Sequence, residues 1–357
     1  MSLSKAFDGI FPLKNGIHMK GSGFLYKALA PLTLLTVPTI QRFNFWWNIG
    51  LIGDYKTYHW NQKNLIPYVF KPLASMGSIK YKTIVHFDNV TEQEFKDDVE
   101  NNSVMVISNH VDLSDFAVLI RLACHYGIES RVVAYFAQFV NYIPFLGPSL
   151  WGQGVPLSRD SDHPEKDEQM MNDRLEMYAG SDDKEVCLIF AEGLIRRNPN
   201  GWLRTKEKKE KYEIDGLNYV HYPKSKGFKE LVKKLGFKMS NLYELVLLYD
   251  EQHLGLTGNE VHIVVRKVCK VSEIPTEPSA EFVAKHNITL DSDNTLHYAH
   301  EEFLLKRHLG MDQILTEWYE GQLGIKKEDA PTSANIYAIR MKLDKESQQS
   351  EQSEQSD

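Results

Sequence analysis

The chain has 357 residues, of which 42% are hydrophobic and 25% are charged, and its formal net charge is −7. This length suffices to bury a large core, and the charged share is ordinary for a globular protein. The composition shows no basic domain of the kind that binds nucleic acid. Three separated cysteines form no CxxC pair. They predict reduced thiols in a chain that folds in or faces the cytosol, with neither a disulfide framework nor a structural zinc site.

Residues 1–80 are predicted to form a membrane-anchoring region. The stretch Leu25–Ile40 is apolar except for Lys27 and is broken by two prolines. An aromatic cluster at residues 43–47 follows, of the kind found at membrane interfaces. We predict one or two membrane-inserted or re-entrant helices here. A buried core helix or a purely interfacial helix is the alternative.

From Tyr81 onward, apolar runs and amphipathic stretches alternate. The apolar runs predict strands, at Tyr81–Phe87, Val104–Ser108, Arg131–Tyr135, Gly154–Ser158, Val186–Phe190, Leu242–Tyr249 and Val261–Val265. The stretches between and after them predict helices, at Leu113–Tyr126, Glu165–Gly180 and Leu304–Leu323, whereas Glu92–Glu100 predicts a polar helix or a loop. This alternation predicts an α/β fold with a mixed, mostly parallel sheet flanked by helices. The domain spans residues 81–325, and an acidic Ser/Gln/Glu-rich tail at residues 326–357 is predicted to be disordered.

The first candidate for chemistry is the segment Asn109–Asp115, which follows an apolar strand and opens a helix. Functional groups in α/β sheets favour the carboxyl end of a strand. His110 is a candidate general base, because an imidazole with a pKa near neutrality can take a proton from a hydroxyl. Asp115 can hold the other ring N–H and stabilise the imidazolium. Helix capping alone would equally explain Asp112 and Asp115.

The second candidate lies at the end of the strand Val186–Phe190. Glu192 can hydrogen-bond a polyol hydroxyl, and Gly193 lets the backbone approach a ligand closely. Basic residues follow, among which Arg196 can grip a phosphate through paired hydrogen bonds. The lysines at 206–209 are interleaved with glutamates and are interpreted as part of a solvated loop.

Together these blocks resemble those of the glycerolipid acyltransferase family, of the lysophosphatidic acid acyltransferase type. The family's Asn-His, followed by four residues and Asp, is matched by Asn109, His110 and Asp115. Its strand ending in arginine is matched by Arg159, which taken alone would be read as a surface salt-bridge residue. Its Phe-Pro-Glu-Gly-Thr block is matched by residues 190–194.

The resemblance covers roughly residues 80–325. The sections at 212–228 and 260–275 are most similar to the lysocardiolipin and lysophosphatidylinositol acyltransferase branch. Ala191 and Leu194 stand where the family has proline and threonine. Further departures are Pro156, Ile195 and Asp250.

The resemblance implies an acyl-CoA-dependent O-acyltransferase that acylates a lysophospholipid hydroxyl. His110 and Asp115 would be catalytic, with His110 deprotonating the hydroxyl and Asp115 orienting it. The implied substrate-binding residues are Asn109, Arg159, Glu192, Gly193 and Arg196. Acyl-CoA would be the co-substrate, with no cofactor, metal or covalent acyl-enzyme. The expected partners are acyl-CoA, a lysophospholipid and the bilayer, and no nucleic acid.

The expected location is membrane-associated, at the endoplasmic reticulum, with lipid droplets and mitochondrial membranes as alternatives. Lysophosphatidylinositol, lysophosphatidic acid and lysocardiolipin-like acceptors all remain open. A catalytically inactive lipid-binding or scaffolding protein is a rival function, because residues 190–194, the third block of the resemblance, depart from the family pattern at Ala191 and Leu194. A hydrolase is disfavoured by the lack of a GxSxG nucleophile elbow. A metal site at His297, His300, Glu301 and His308 is weighed against a solvated helix face, and HExxH is absent.

Overall fold

A computed structural model describes residues 40–41, 64–67, 69–71, 82–112, 114–137, 154–157, 164–249, 260–292 and 294–323. Most of the predicted membrane-anchoring region and the predicted disordered tail lie outside these residues. Those two predictions and the predicted domain boundaries therefore stay predictions. None of the helices in the described part of the chain combines the length and apolarity that a membrane span needs.

The chain divides into two compact units. The sheet unit comprises residues up to 108, residues 114–189 and residues 230–274. The helical unit comprises residues 109–113, residues 190–229 and residues from 275 onward. The first predicted block, Asn109–Asp115, therefore contributes residues to both units.

The sheet unit contains one mixed sheet. Its strands are β1 (Lys82–Phe87), β2 (Ser103–Ser108), β3 (Val132–Ala137), β4 (Val155–Leu157), β5 (Val186–Phe190), β6 (Met239–Tyr249) and β7 (Glu260–Lys270). Within the described residues these seven strands are ordered β1-β7-β6-β2-β5-β3-β4. Strands β6 and β7 are antiparallel, whereas β1 is parallel to β7, β2 to β6, and β3 to both β4 and β5. The predicted mixed, mostly parallel sheet is confirmed.

The helices α1 (Glu92–Asn101), α2 (Asp115–His125) and α3 (Pro164–Ala179) lie in the sheet unit. A capping box explains where α1 begins, because the N–H of Glu94 donates to Thr91 Oγ1 and the N–H of Thr91 donates to the Glu94 carboxylate. Every residue of β2 is buried, which accounts for its uninterrupted apolar sequence. The helices flank the sheet as the sequence predicts.

The helical unit contains α4 (Pro199–Tyr212), α6 (Ala280–Lys285) and α7 (Thr295–Leu323), and α5 (Ser225–Leu235) begins in it. The prediction of a solvated loop at residues 206–209 was wrong, because these residues lie in α4. Asn198 caps α4 by accepting the N–H of Asn200 at 3.0 Å, and Pro199 occupies its first position. Helix α7 also begins earlier than predicted.

The prediction that His300, Glu301 and His308 form a solvated face of α7 was wrong as well, because all three residues are buried. The Glu301 carboxylate accepts hydrogen bonds from the Tyr222 hydroxyl at 2.8 Å and from Lys208 Nζ at 2.9 Å. Nowhere in the described ranges do three or more His, Cys, Asp or Glu side chains form a group that could hold a metal ion. Glu301 is instead the acceptor of a buried polar cluster.

Burial lowers the pKa of His300 and of His308 from 6.5 to about 4 in each case. A charged imidazole loses its hydration inside the protein, so the neutral form is favoured. His308 Nδ1 donates to the carbonyl of Leu304 at 2.9 Å. Both rings are therefore neutral components of the core at neutral pH.

Acid should destabilise the protein through these histidines. Between about pH 6.5 and about pH 4 the unfolded chain binds more protons than the folded chain, so the unfolding free energy falls as the pH falls. Each such group contributes up to about 1.4 kcal/mol per pH unit. Between about pH 7 and about pH 5, the unfolding free energy of wild type should fall by about 1–2 kcal/mol more than that of His300→Gln. Denaturant melts at the two pH values measure this difference. A pH dependence for His300→Gln equal to that of wild type would contradict the prediction.

Candidate active site

The end of β2 leads directly into the predicted catalytic block. Ser108, the last residue of β2, donates its hydroxyl to the carbonyl of Leu245 on β6 at 2.7 Å. Asn109 follows and is fully buried, and His110 after it is half-buried. The sequence prediction that this block follows a buried strand and precedes a helix is confirmed.

His110 is held through its main chain and through its ring. Its N–H donates to Glu192 Oε1 at 2.7 Å, and its carbonyl accepts the N–H of Arg196 at 2.7 Å. Its imidazole stacks on Phe190, with ring centroids 4.3 Å apart and planes at 21°. These contacts set the position and plane of the imidazole.

Glu192 joins two segments of the helical unit. Its second oxygen, Oε2, accepts the N–H of His221 at 2.8 Å, and the residue is 1% exposed. Arg204 donates to the carbonyls of Glu192 and Tyr222 at 2.8 and 2.6 Å. The structure therefore uses both carboxylate oxygens as acceptors for main-chain amides.

The charges around Glu192 are arranged to tolerate its burial. Burial lowers the pKa of Arg204, and the nearby Glu192 carboxylate opposes that shift. Burial, followed by the charge of Arg204, lowers the pKa of His221 to about 3. His221 is therefore neutral, and Arg204 supplies positive charge near the buried carboxylate.

Gly193 is in the left-handed region, with φ at +69°. The aliphatic part of Lys224 lies across it, since Lys224 Cδ is 3.3 Å from the place where a Cβ would stand. The N–H of Lys224 also donates to the carbonyl of Ala191 at 2.7 Å. Glycine is required here by its backbone angle and by this close approach. Sequence reasoning missed Lys224, which no motif marked.

Arg196 is surrounded by aromatic residues. Its guanidinium lies 5.0 Å from the ring centroid of Tyr219 and 5.4 Å from that of Tyr319, and Nη1 donates to the Tyr319 hydroxyl at 3.2 Å. Its carbonyl accepts the indole N–H of Trp202 at 2.6 Å. Arg196 therefore helps to fix the loop after Gly193, and its predicted grip on a phosphate stays a prediction.

Asp115 belongs to the sheet unit, where it is the first residue of α2 and is fully buried. The Tyr249 hydroxyl donates to Asp115 Oδ1 at 2.7 Å. Sequence reasoning placed Tyr249 in a strand and assigned it no role. Arg159 lies outside the described residues, just beyond β4, and stays a predicted substrate-binding residue.

Comparison with known proteins bears on the family. Lysophosphatidylinositol acyltransferase 10 of Caenorhabditis elegans is 28% identical over 124 residues, which cover 31% of this chain and 31% of that protein. The chain resembles the glycerolipid acyltransferases. This match spans less than a third of the curated relative, and no protein-family model matches the chain. The crystal structure of the Thermotoga maritima 1-acyl-sn-glycerophosphate acyltransferase PlsC gives a TM-score of 0.37 at 13% identity, covering 81% of this chain and 92% of that one.

The role of Glu192 can be tested by Glu192→Gln. The amide nitrogen of glutamine cannot accept a hydrogen bond, so one of the two buried N–H groups, of His110 or His221, would lose its acceptor. We expect a loss of about 1–3 kcal/mol in unfolding free energy, measured by denaturant melts. Glu176→Gln, at a surface salt bridge with Lys234, is the matched control and should change stability by less than about 0.5 kcal/mol. Equal stability of both variants would contradict the assignment.

The fit of His221 against α4 can be tested by Gly201→Ala. A Cβ at Gly201 would lie 2.3 Å from Cε1 of the buried His221 ring, so the ring must move. This movement should disturb the hydrogen bond from the His221 N–H to Glu192. We expect a destabilisation of about 1–3 kcal/mol, measured as a lowered thermal midpoint. Gly180→Ala, whose Cβ would meet its nearest neighbour at 3.6 Å, is the control and should leave the midpoint nearly unchanged. A stable Gly201→Ala would show that the ring can move freely.

Proposed function

We propose that this protein is an acyl-CoA-dependent O-acyltransferase that transfers a fatty acyl chain to the hydroxyl of a lysophospholipid. The observation that carries the proposal is the placement of His110 directly after the buried strand β2, with its main chain held by Glu192 and its ring stacked on Phe190. Sequence similarity to a lysophosphatidylinositol acyltransferase supports the substrate class.

In the proposed reaction, His110 takes the proton of the acceptor hydroxyl as its oxygen attacks the thioester carbonyl of acyl-CoA. The C–S bond breaks, and the imidazolium returns a proton to the leaving sulfur. The products are the diacylated phospholipid and free CoA. Asp115 orients the imidazole and stabilises its charged form, as an acid does in a catalytic triad. The acyl group passes directly between substrates, so the enzyme supplies no covalent nucleophile.

The departures from the family pattern in the third block, residues 190–194, are compatible with activity. The Glu192 carboxylate accepts the main-chain N–H groups of His110 and His221, and the Arg204 guanidinium donates to the carbonyls of Glu192 and Tyr222. None of these contacts uses the side chain of residue 191 or 194. The replacements Ala191 and Leu194 therefore leave this framework in place, which favours an active enzyme over an inactive scaffold.

Substrate binding and location follow from the same proposal. Gly193 and the predicted residues Asn109, Arg159 and Arg196 would hold the phosphoglycerol part of the acceptor. The exposed Lys224, which crosses Gly193, adds positive charge beside this block. The apolar and aromatic N-terminal residues would associate the protein with the membrane of the endoplasmic reticulum, where both lipid substrates partition.

Acyl transfer from labelled oleoyl-CoA and stearoyl-CoA to a panel of lysophospholipids tests the proposal. Membranes containing wild-type protein should acylate one acceptor class. His110→Ala and Asp115→Asn should lower that rate by about 100- to 10,000-fold without unfolding the protein. His86→Ala, a histidine exposed on β1, is the matched control and should retain the wild-type rate.

The panel separates the proposed enzyme from its rival. Turnover retained in a folded His110→Ala variant would refute the mechanism. A folded, membrane-bound wild-type protein that acylates no acceptor would favour a lipid-binding scaffold. Release of free fatty acid without an acceptor would point to a hydrolase.

A further inference from the structure

Strand β6 extends past the strand beside it. Leu245 of β6 pairs with Ser108, the last residue of β2, and β6 continues to Tyr249. Because the two strands are parallel, this extension carries Tyr249 beyond the carboxyl end of β2. Helix α2 begins at Asp115 in the same unit.

The extension allows one buried hydrogen bond. The Tyr249 hydroxyl donates to Asp115 Oδ1 at 2.7 Å, and the two residues are 3% and 0% exposed. A neutral hydroxyl that donates to a carboxylate makes a short, charge-assisted hydrogen bond. It fixes the rotation of the carboxylate about its side chain.

We propose that Tyr249 is a positioning residue that holds the Asp115 carboxylate in the orientation required by His110. This inference rests on the proposed acyltransferase function. By occupying Oδ1, the tyrosine fixes the orientation of the Asp115 carboxylate. An orienting acid is effective only within a narrow range of geometry, so the loss of this bond should slow the reaction without weakening substrate binding.

The same strand contains a matched control. The Tyr243 hydroxyl donates to Asp98 Oδ2 at 2.8 Å, and both of these residues are also buried. Asp98 lies in α1 and accepts further hydrogen bonds from Asn102, Ser240 and Asn241. This bond has the same chemistry as the Tyr249–Asp115 bond, and it ties α1 to an earlier part of β6.

The experiment compares Tyr249→Phe with Tyr243→Phe in the acyl-transfer assay, using membranes and equal amounts of folded protein. Each variant removes one buried hydroxyl, so both should lower the thermal midpoint. We expect Tyr249→Phe to lower kcat about ten-fold or more, with KM unchanged for acyl-CoA and for the acceptor. Tyr243→Phe should keep the wild-type kcat. In the Asp115→Asn background, Tyr249→Phe should cause no further loss of kcat.

Each remaining outcome overturns the inference in a recognisable way. A wild-type kcat for Tyr249→Phe, or an equal loss for Tyr243→Phe, would reduce Tyr249 to a structural role while leaving the acyltransferase proposal intact. A change confined to KM would place Tyr249 in substrate binding. An inactive wild-type protein would refute the proposed function itself, and the positioning role with it.

Discussion

The carboxylate of Glu192 accepts the main-chain N–H of His110 on one oxygen and that of His221 on the other, at 2.7 and 2.8 Å. A carboxylate that is 1% exposed is tolerated only where hydrogen bonds and opposite charge replace its lost hydration. Two amides and the nearby guanidinium of Arg204 meet that requirement. The position of His110 therefore depends on a buried charge some eighty residues away in the sequence.

This interaction changes how the third block is understood. Two of its residues position His110. Phe190 stacks on the imidazole and sets its plane, and the Glu192 carboxylate accepts the main-chain N–H of His110. Gly193 provides the turn over which Lys224 passes. The Arg196 guanidinium lies against the rings of Tyr219 and Tyr319 and helps to hold the loop after Gly193. In the fold, Glu192 is a framework residue that holds the main chain of His110 and of His221, and its predicted hydrogen bond to a polyol stays a prediction.

Strand β6 shows how one element can serve two purposes. Its tyrosines at 243 and 249 each donate to a buried aspartate, the first from the middle of the strand and the second from its last residue. The first bond joins α1 to the sheet, and the second reaches the acid that begins α2. Both depend on register, because a slip of one residue would turn the two hydroxyls to the other face of the sheet.

Much of the fold could be predicted because local pattern determines it. The fully buried β2 appears as an unbroken apolar run, and the alternation of strands and helices predicts the mixed sheet. Helix α4 was missed because its basic run was given more weight than its start signal, Asn198 followed by Pro199. The buried histidines of α7 were misjudged because polarity, read along a helix, does not show which face is covered.

The sequence by itself determined the strand–block–helix order around His110 and Asp115 and the similarity to glycerolipid acyltransferases. Only the tertiary structure decided the partners of those residues. Glu192, Arg204 and Tyr249 are distant along the chain from the groups they contact, and their spacing has no periodicity. Their contacts depend on strand register and on the placement of buried charge. Both are long-range properties of the folded chain that local sequence patterns do not encode.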